Sequence, residues 1–273
     1  VFMAAVAAVA REWGWRFAHR GAVVIDKSSY FRDKSYAPLV IPEVNPESIR
    51  EHRGIIANPN CTTIPLVAAL KPLHEAFGLA GFTAVSFQSV SGSGGNGMLT
   101  LARELEDINA EATTFPHRIA HNVIPWIGSP AGGHSSEEKK MINEPRKILR
   151  LPRLPIRVTA VRVPIMIGHS LALHASFRKP VSVEKARKAL ESMPGVTMKD
   201  DPADGLYPMP LAAAGRDEVL VGRIRRDRGW HGLALWISAD NLRKGAALNA
   251  VQIAEMLITN QAAGDSGVNT IPG

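Results

Sequence analysis

Short apolar runs rich in β-branched residues alternate along the chain with stretches that suit helices, and this alternation constrains the fold most. Strand candidates are residues 22–26, 54–57, 83–90, 157–163, 171–177, 218–224 and 233–238. Helix candidates are residues 4–18, 62–77, 98–112, 136–149, 183–193 and 243–258. The early runs are uniformly apolar, as buried parallel strands are, whereas several later runs alternate and indicate a sheet with one covered face. We predict an α/β chain whose second part is a mixed α+β domain.

The length allows more than one domain. The chain has 273 residues, and its 23 glycines and 19 prolines are spread along it rather than gathered in a linker. Two interleaved domains are therefore favoured over two domains joined by a flexible segment.

The charge favours anionic partners. Lys and Arg outnumber Asp and Glu by 32 to 25, a net charge of +7. Only 6% of the residues are aromatic, and the chain has no zinc-finger spacing or RNA-binding motif, so we expect no nucleic-acid partner. Phosphorylated small molecules explain the charge as well.

The single cysteine excludes an intramolecular disulfide framework and a Cys-rich zinc site. We expect a cytoplasmic protein without a metal. No apolar stretch approaches the roughly 18 to 20 residues that span a bilayer, so no membrane association is expected either.

Cys61 is the first candidate for chemistry. A lone cysteine is more often an inert buried residue, but Cys61 stands between an apolar run and a helix candidate, after Asn58-Pro59-Asn60. At a helix N-terminus the free backbone N–H groups and the helix dipole favour a thiolate. Among nine histidines, His169 stands out as a partner because it lies between two strand candidates, although an ordinary loop histidine fits that position equally well.

Two further features suit binding. The glycine-rich segment from Ser91 to Gly97 follows a strand candidate and precedes a helix candidate, so it is either a phosphate cradle or a flexible turn. Glu137 and Lys140 are three residues apart and would share a helix face, as a site for a zwitterion or phosphate or as ordinary solvated surface.

A series of stretches resembles the aspartate-β-semialdehyde dehydrogenase family, in family order over nearly the whole chain. The matching stretches are Ser28-Ser29-Tyr30-Phe31-Arg32, Val40-Ile41-Pro42-Glu43-Val44-Asn45, Asn58-Pro59-Asn60-Cys61-Thr62-Thr63, Gln88 before Ser91-Gly92-Ser93-Gly94, Asn122-Val123-Ile124-Pro125, residues 137–140 with Asn143-Glu144, residues 162–169, and Val221-Gly222-Arg223-Ile224 through residues 239–246.

The resemblance implies roles for particular residues. Cys61 would be the nucleophile, His169 the acid/base residue and Gln88 the residue that orients the intermediate. Arg162 would bind the substrate carboxylate and Glu137 the substrate amino group. Phosphate would be bound by Arg32, Asn60 and Lys140, and the cofactor would be contacted by Ser91, Gly92 and Asn241. The resemblance also implies a homodimer, an incomplete Rossmann-type NADP-binding domain formed by residues 1–60 and 242–273, and a catalytic and dimerisation domain of residues 61–241.

The implied reaction is the NADPH-dependent reduction of aspartyl phosphate to aspartate semialdehyde through a Cys61 thioester, with release of phosphate, in lysine, threonine and methionine biosynthesis. Two alternatives remain: a reductase of N-acetyl-glutamyl phosphate, and an impaired homologue that serves as a dimerisation or ligand-binding module. The family begins with a glycine-rich βαβ unit that is not found before Val1, about 60 residues. We therefore expect these 273 residues to keep the catalytic half and to bind NADPH weakly.

Overall fold

The computed structural model describes residues 1–227 and 231–265, and the chain divides into two compact units. The first unit comprises Val1–Pro59 and the segment that begins at Ala247, and the second is Asn60–Ala246. The last part of the predicted domain 242–273 lies beyond residue 265, outside the described residues.

Strands and short helices alternate in both units. In chain order the strands are β1 (Phe2–Met3), β2 (Val24–Asp26), β3 (Ile55–Ala57), β4 (Leu79–Gln88), β5 (Pro130–Ala131), β6 (His134–Ser135), β7 (Ile156–Arg162), β8 (His169–Phe177), β9 (Val196–Met198), β10 (Val219–Arg226) and β11 (Gly232–Ala239). The helices are α1 (Ala7–Ala18), α2 (Thr63–Phe77), α3 (Gly94–Glu106), α4 (Ser136–Ile148), α5 (Val183–Glu191), α6 (Pro210–Ala213) and α7 (Leu248–Asp265). Short 3₁₀ helices occupy Pro46–Glu51 and Val90–Ser93, and a π-helical turn occupies Arg243–Ala247.

The first unit is built on a parallel sheet in the order β1-β2-β3. Ile25 of β2 and Ile56 of β3 are registered neighbours, and both enter a buried apolar cluster with Ile253 of α7. Because both faces of these short strands are buried, the strands read in the sequence as uniform apolar runs.

The second unit contains a mixed six-stranded sheet in the order β7-β4-β8-β11-β10-β9. Strands β7 and β4 are parallel, as are β9 and β10, and the other neighbours are antiparallel. Helices α2, α4 and α5 pack against this sheet. The predicted fold class, a Rossmann-like parallel sheet followed by a mixed sheet, is confirmed.

Several boundaries differ from the prediction. Helix α3 begins at Gly94, not near residue 98, because the chain turns there with a φ of +73°, which glycine adopts without strain. It ends at Glu106, not residue 112, because Asp107 is extended and accepts a hydrogen bond from the backbone of Asn109 instead. Strands β1, β5, β6 and β9 and helix α6 were not predicted, and the helix predicted from residue 243 starts as a π-helical turn. Among the helices described, none is both long and apolar enough to cross a membrane.

Candidate active site

Cys61 lies in a turn directly before the N-terminus of α2. Asn60 Oδ1 accepts a hydrogen bond from the Thr62 backbone N–H at 3.0 Å, and this side-chain turn starts the helix. Pro65, the third residue of α2, is tolerated because the first helical N–H groups have no partner within the helix. The half-buried thiol therefore lies at the end of the helix where a negative charge is stabilised.

Two carboxylates of α4 hold this turn. Glu144 Oε2 accepts the Asn60 backbone N–H at 2.7 Å, and Glu137 Oε1 accepts Asn60 Nδ2 at 3.0 Å. Helix α4 itself begins with a reciprocal cap, in which Ser135 and Glu138 each bond the other's backbone N–H. The cap fixes the start of α4, and Glu137 and Glu144, seven residues apart on this helix, both contact the turn before Cys61.

Glu137 joins three of the predicted site residues, Asn60, Gln88 and Lys140. Its Oε1 atom also accepts Gln88 Nε2 at 3.1 Å, and its Oε2 atom accepts Lys140 Nζ at 3.0 Å. Burial alone would raise the pKa of Glu137, but the Lys140 charge and the hydrogen bonds from Lys140, Asn60 and Gln88 outweigh it and lower that pKa. The carboxylate is therefore ionised at neutral pH, and Glu137 and Lys140 share a helix face as predicted.

Arg162 and Gln88 end two neighbouring strands. They are registered partners at the carboxyl ends of β7 and β4, and parallel pairing places both side chains at the same edge of the sheet. Arg162 is 5% exposed, and its Nη1 atom donates to the Ser89 carbonyl at 2.7 Å. Burial lowers the pKa of its guanidinium, while the nearby Cys61 and Glu137 act in the opposite direction. Arg162 is thus a buried cation that interacts with both the thiol and the carboxylate.

His169 is the first residue of β8, not a loop residue as predicted. It is fully buried, and its Nδ1 atom accepts the Ser89 backbone N–H at 3.1 Å. Burial and then the Arg162 charge lower the pKa of His169 to about 3. The imidazole is therefore neutral at physiological pH.

The predicted cofactor residues are packed closely together. Ser91 Oγ lies 3.2 Å from Asn241 Oδ1 and accepts Asn241 Nδ2 at 3.0 Å, and both side chains are buried. A Cβ at Gly92 would lie 2.7 Å from Arg162 Nη1, so a side chain at this position would displace the guanidinium from its present place.

The start of α3 suits a bound nicotinamide group. Cβ atoms at Gly94 and Gly95 would meet nothing within 4 Å, so the glycine-rich segment leaves room for a ligand to approach the backbone. Ser93 makes no side-chain cap to α3, which leaves helical N–H groups for acceptors on a ligand. The residues present therefore fit such a group through backbone and glycine rather than through the engaged amide of Asn241.

The remaining predicted phosphate residue, Arg32, belongs to the first unit. Its Nη2 atom donates to the Lys27 carbonyl at 2.9 Å. Burial raises the pKa of Asp26, and the positive charge of Arg32 acts in the opposite direction.

The sequence interpretation missed two residues of this site, Ser89 and Glu144. Ser89 contacts His169, Ser91 and Asn241, but a serine at a strand end carries no distinctive signal. Glu144 was part of a matched stretch without a role. Its spacing of seven residues from Glu137 puts both on one face of α4, and that signal could have identified it.

Two family models match the chain. The semialdehyde dehydrogenase dimerisation domain matches residues 70–244, and the semialdehyde dehydrogenase NAD binding domain matches residues 1–52. With the parallel sheet and the cysteine at a helix start, these matches define an oxidoreductase of the semialdehyde dehydrogenase class.

The chain belongs to the aspartate-semialdehyde dehydrogenase family. It is 44% identical over 264 residues to the aspartate-semialdehyde dehydrogenase of Aquifex aeolicus, covering 91% of this chain and 76% of that protein. The solved structure of aspartate semialdehyde dehydrogenase II from Vibrio cholerae complexed with ASA has a TM-score of 0.92 and 41% identity, covering 95% of this chain and 79% of that one. The solved structure of aspartate semialdehyde dehydrogenase with NADP from Candida albicans has a TM-score of 0.76 and 26% identity. The match covers 96% of this chain and 77% of that one.

Proposed function

We propose that this protein catalyses the NADPH-dependent reductive dephosphorylation of L-aspartyl-4-phosphate to L-aspartate-4-semialdehyde, as a step of lysine, threonine and methionine biosynthesis. One observation carries the proposal: a cysteine at a helix N-terminus lies near a buried arginine, and this arginine is close to a buried ionised glutamate and a buried neutral histidine. These groups supply a nucleophile and complementary charges for a free amino acid.

Substrate binding follows from these charges. The Arg162 guanidinium binds the α-carboxylate through its fork, and Glu137 binds the α-ammonium group. Lys140, Asn60 and Arg32 hold the phosphate. A free ammonium group suits the carboxylate of Glu137, which disfavours an N-acetylated substrate. The same carboxylate accepts a hydrogen bond from Lys140 Nζ at 3.0 Å.

The chemistry uses Cys61 as the covalent centre. The thiolate attacks the acyl carbon, the bond from that carbon to the phosphate oxygen breaks, and a thioester forms while Gln88 orients it. A bound reduced nicotinamide cofactor supplies hydride. The thioester carbon then becomes a thiohemiacetal on Cys61, which collapses to the aldehyde and restores the thiolate. His169 is the acid/base residue.

The two units divide this work. We propose that residues 1–60 and 242–273 are part of the dinucleotide-binding domain and that residues 61–241 form the catalytic and dimerisation domain. Support comes from the NAD binding domain match at residues 1–52 and from the room for a ligand above Gly94 and Gly95. Ser91, Gly92 and Asn241 lie on the nicotinamide side.

The reverse reaction tests the function with a stable substrate. Mixed with L-aspartate-4-semialdehyde, phosphate and enough NADP to offset the weak cofactor binding that the sequence predicts, the protein is expected to produce NADPH, measured by absorbance, at a rate that depends on phosphate. NAD and N-acetyl-glutamate semialdehyde serve as matched alternative substrates. An absence of phosphate-dependent NADPH formation, or a preference for the N-acetylated aldehyde, contradicts the proposal.

We further propose a homodimer formed through the mixed sheet. Helices α2, α4 and α5 pack against the sheet, and on its other face Phe87 and Trp236 stack with ring centroids 5.3 Å apart while His174 and Ser176 remain exposed. The match to a dimerisation domain covers these strands. Half-buried aromatic rings on an exposed face are typical of protein interfaces.

Trp236→Glu is expected to convert the dimer to a monomer, because it places a charge among apolar residues at the interface. Light scattering after size-exclusion chromatography measures the mass. Trp13→Glu, at a 42% exposed tryptophan of α1, is the matched control and is expected to remain dimeric. A folded Trp236→Glu protein with an unchanged dimer mass is inconsistent with this interface.

A further inference from the structure

Phe115 lies against the guanidinium of Arg162. The Arg162 Cζ atom lies over the Phe115 ring, 5.8 Å from the ring centroid, which is within the range of a cation–π contact. Phenylalanine has no oxygen or nitrogen acceptor, so the contact leaves the N–H groups of the guanidinium for oxygen atoms such as the Ser89 carbonyl. Arg162 is buried, and a cation–π contact is strongest where water is excluded.

The segment that carries Phe115 also pairs with the backbone of Arg162. Ile124, nine residues after Phe115, forms an isolated antiparallel bridge with Arg162. The Ile124 backbone N–H donates to the Arg162 carbonyl at 3.0 Å, and the Arg162 backbone N–H donates to the Ile124 carbonyl at 2.8 Å. One short segment therefore contacts both the main chain and the side chain of Arg162.

Two buried side chains of α3 attach this segment to the helix. Thr100 Oγ1 lies 2.7 Å from the hydroxyl of Thr114, the residue before the phenylalanine. Glu104 Oε2 accepts the backbone N–H groups of Ile119 and Ala120 at 2.7 and 2.8 Å. Thr100 and Glu104 are four residues apart, so they share a face of α3, and both are buried. The segment is thus attached on both sides of the phenylalanine.

A glycine and an apolar cluster determine where the ring lies. A Cβ at Gly97 of α3 would lie 3.3 Å from Phe115 Cζ and would clash with the Val90 carbonyl oxygen, so the ring and the helix pack closely because this residue has no side chain. Phe115 also packs against a buried apolar cluster that includes Val90, Leu101 and Ile119. The ring is therefore held in place, and it limits the rotation of the guanidinium beside it.

We propose that Phe115 is a positioning residue, which fixes the orientation of the Arg162 guanidinium for the substrate carboxylate through the cation–π contact. This inference rests on the proposed function, in which Arg162 binds the α-carboxylate. Two parallel hydrogen bonds require the guanidinium and the carboxylate to share a plane, and an arginine that is already oriented loses less conformational entropy when the substrate binds. Phe115 acts through Arg162 and not on the reacting atoms.

Phe115→Leu keeps an apolar side chain but removes the ring. In the phosphate-dependent formation of NADPH, this variant is expected to raise the KM for L-aspartate-4-semialdehyde about 5- to 30-fold, the factor for a desolvated cation–π contact. The kcat and the KM for phosphate are expected to stay within about twofold, because the carboxylate is bound equally in the ground and transition states and phosphate binds to other residues. Phe115→Tyr keeps the ring and is expected to have the wild-type KM.

Ile119→Val is the matched control. It removes a methylene group from the same apolar cluster and leaves the ring in place, so both KM values are expected to be unchanged. An unchanged semialdehyde KM in Phe115→Leu, or a raised KM that is also found in Phe115→Tyr, overturns the proposal. A fall in kcat with equal rises in both KM values means that the substitution disturbs the whole site, and this result overturns the proposal as well.

Arginine side-chain ¹H–¹⁵N spectra test the contact without turnover. The Arg162 Nε–H signal is identified by its loss in Arg162→Lys. Because an aromatic ring shifts the resonances of protons near its face, this signal is expected to move in Phe115→Leu and to keep its position in Ile119→Val. A signal that does not move in Phe115→Leu overturns the proposal. If the signal moves but the wild-type protein forms no NADPH, the proposed function is wrong and the positioning of Arg162 by Phe115 is supported.

Discussion

Cys61→Ser is expected to lower the phosphate-dependent production of NADPH by at least about 10⁴-fold, as loss of a covalent nucleophile does in other enzymes. The serine hydroxyl keeps the shape of the thiol, but it does not ionise at neutral pH and is therefore a much weaker nucleophile. Substrate binding is expected to persist, because Arg162 and Glu137 are unchanged. Activity and equilibrium binding of the semialdehyde are the two measurements.

The same cysteine allows a control that needs no substrate. Because Cys61 is the only thiol in the chain, alkylation reports on it without background. It is expected to react faster at neutral pH than free cysteine, owing to the start of α2 and the Arg162 charge. A rate profile centred near pH 8.5, about that of a free thiol, would rule out an activated nucleophile.

Arg162→Lys is expected to raise the KM for L-aspartate-4-semialdehyde by about 5- to 150-fold, which corresponds to about 1 to 3 kcal/mol. Lysine keeps the charge but lacks the planar fork that binds a carboxylate through two parallel hydrogen bonds. It also cannot donate to the Ser89 carbonyl and to the substrate with the same geometry.

Arg157→Lys is the matched control for this substitution. Arg157 lies on the same strand, β7, but its side chain is exposed. It is expected to leave KM unchanged. If Arg162→Lys behaves like Arg157→Lys, Arg162 does not bind the substrate carboxylate.

Local signals predicted the parts of the site that are close in sequence. The helix after Cys61 and the Glu137–Lys140 pair each depend on residues within four positions of one another, and the structure has both. Short-range hydrogen bonding and helix periodicity determine such features, so they can be read from the residues involved.

The contacts that join these parts could not be predicted in the same way. Ser89 and Asn241 are 152 residues apart, and Asn60 and Glu144 are 84 residues apart. A serine or glutamate has the same local preferences whether or not such a partner exists, and only sheet topology brings them together. For the same reason the two-residue strand β1 was missed, because too short a run has no periodicity of its own.

The attachment of Asn60 to α4 bears on how much the nucleophile moves. Its backbone N–H and its side-chain amide are both held by buried carboxylates, so the turn before Cys61 cannot rearrange without breaking two charge-assisted hydrogen bonds. The amide hydrogen of Asn60 is therefore expected to exchange with deuterium far more slowly than loop amides commonly do. The turn that carries the nucleophile therefore becomes ordered when the chain folds and not when substrate binds. The thiol is in its reactive position before any ligand binds.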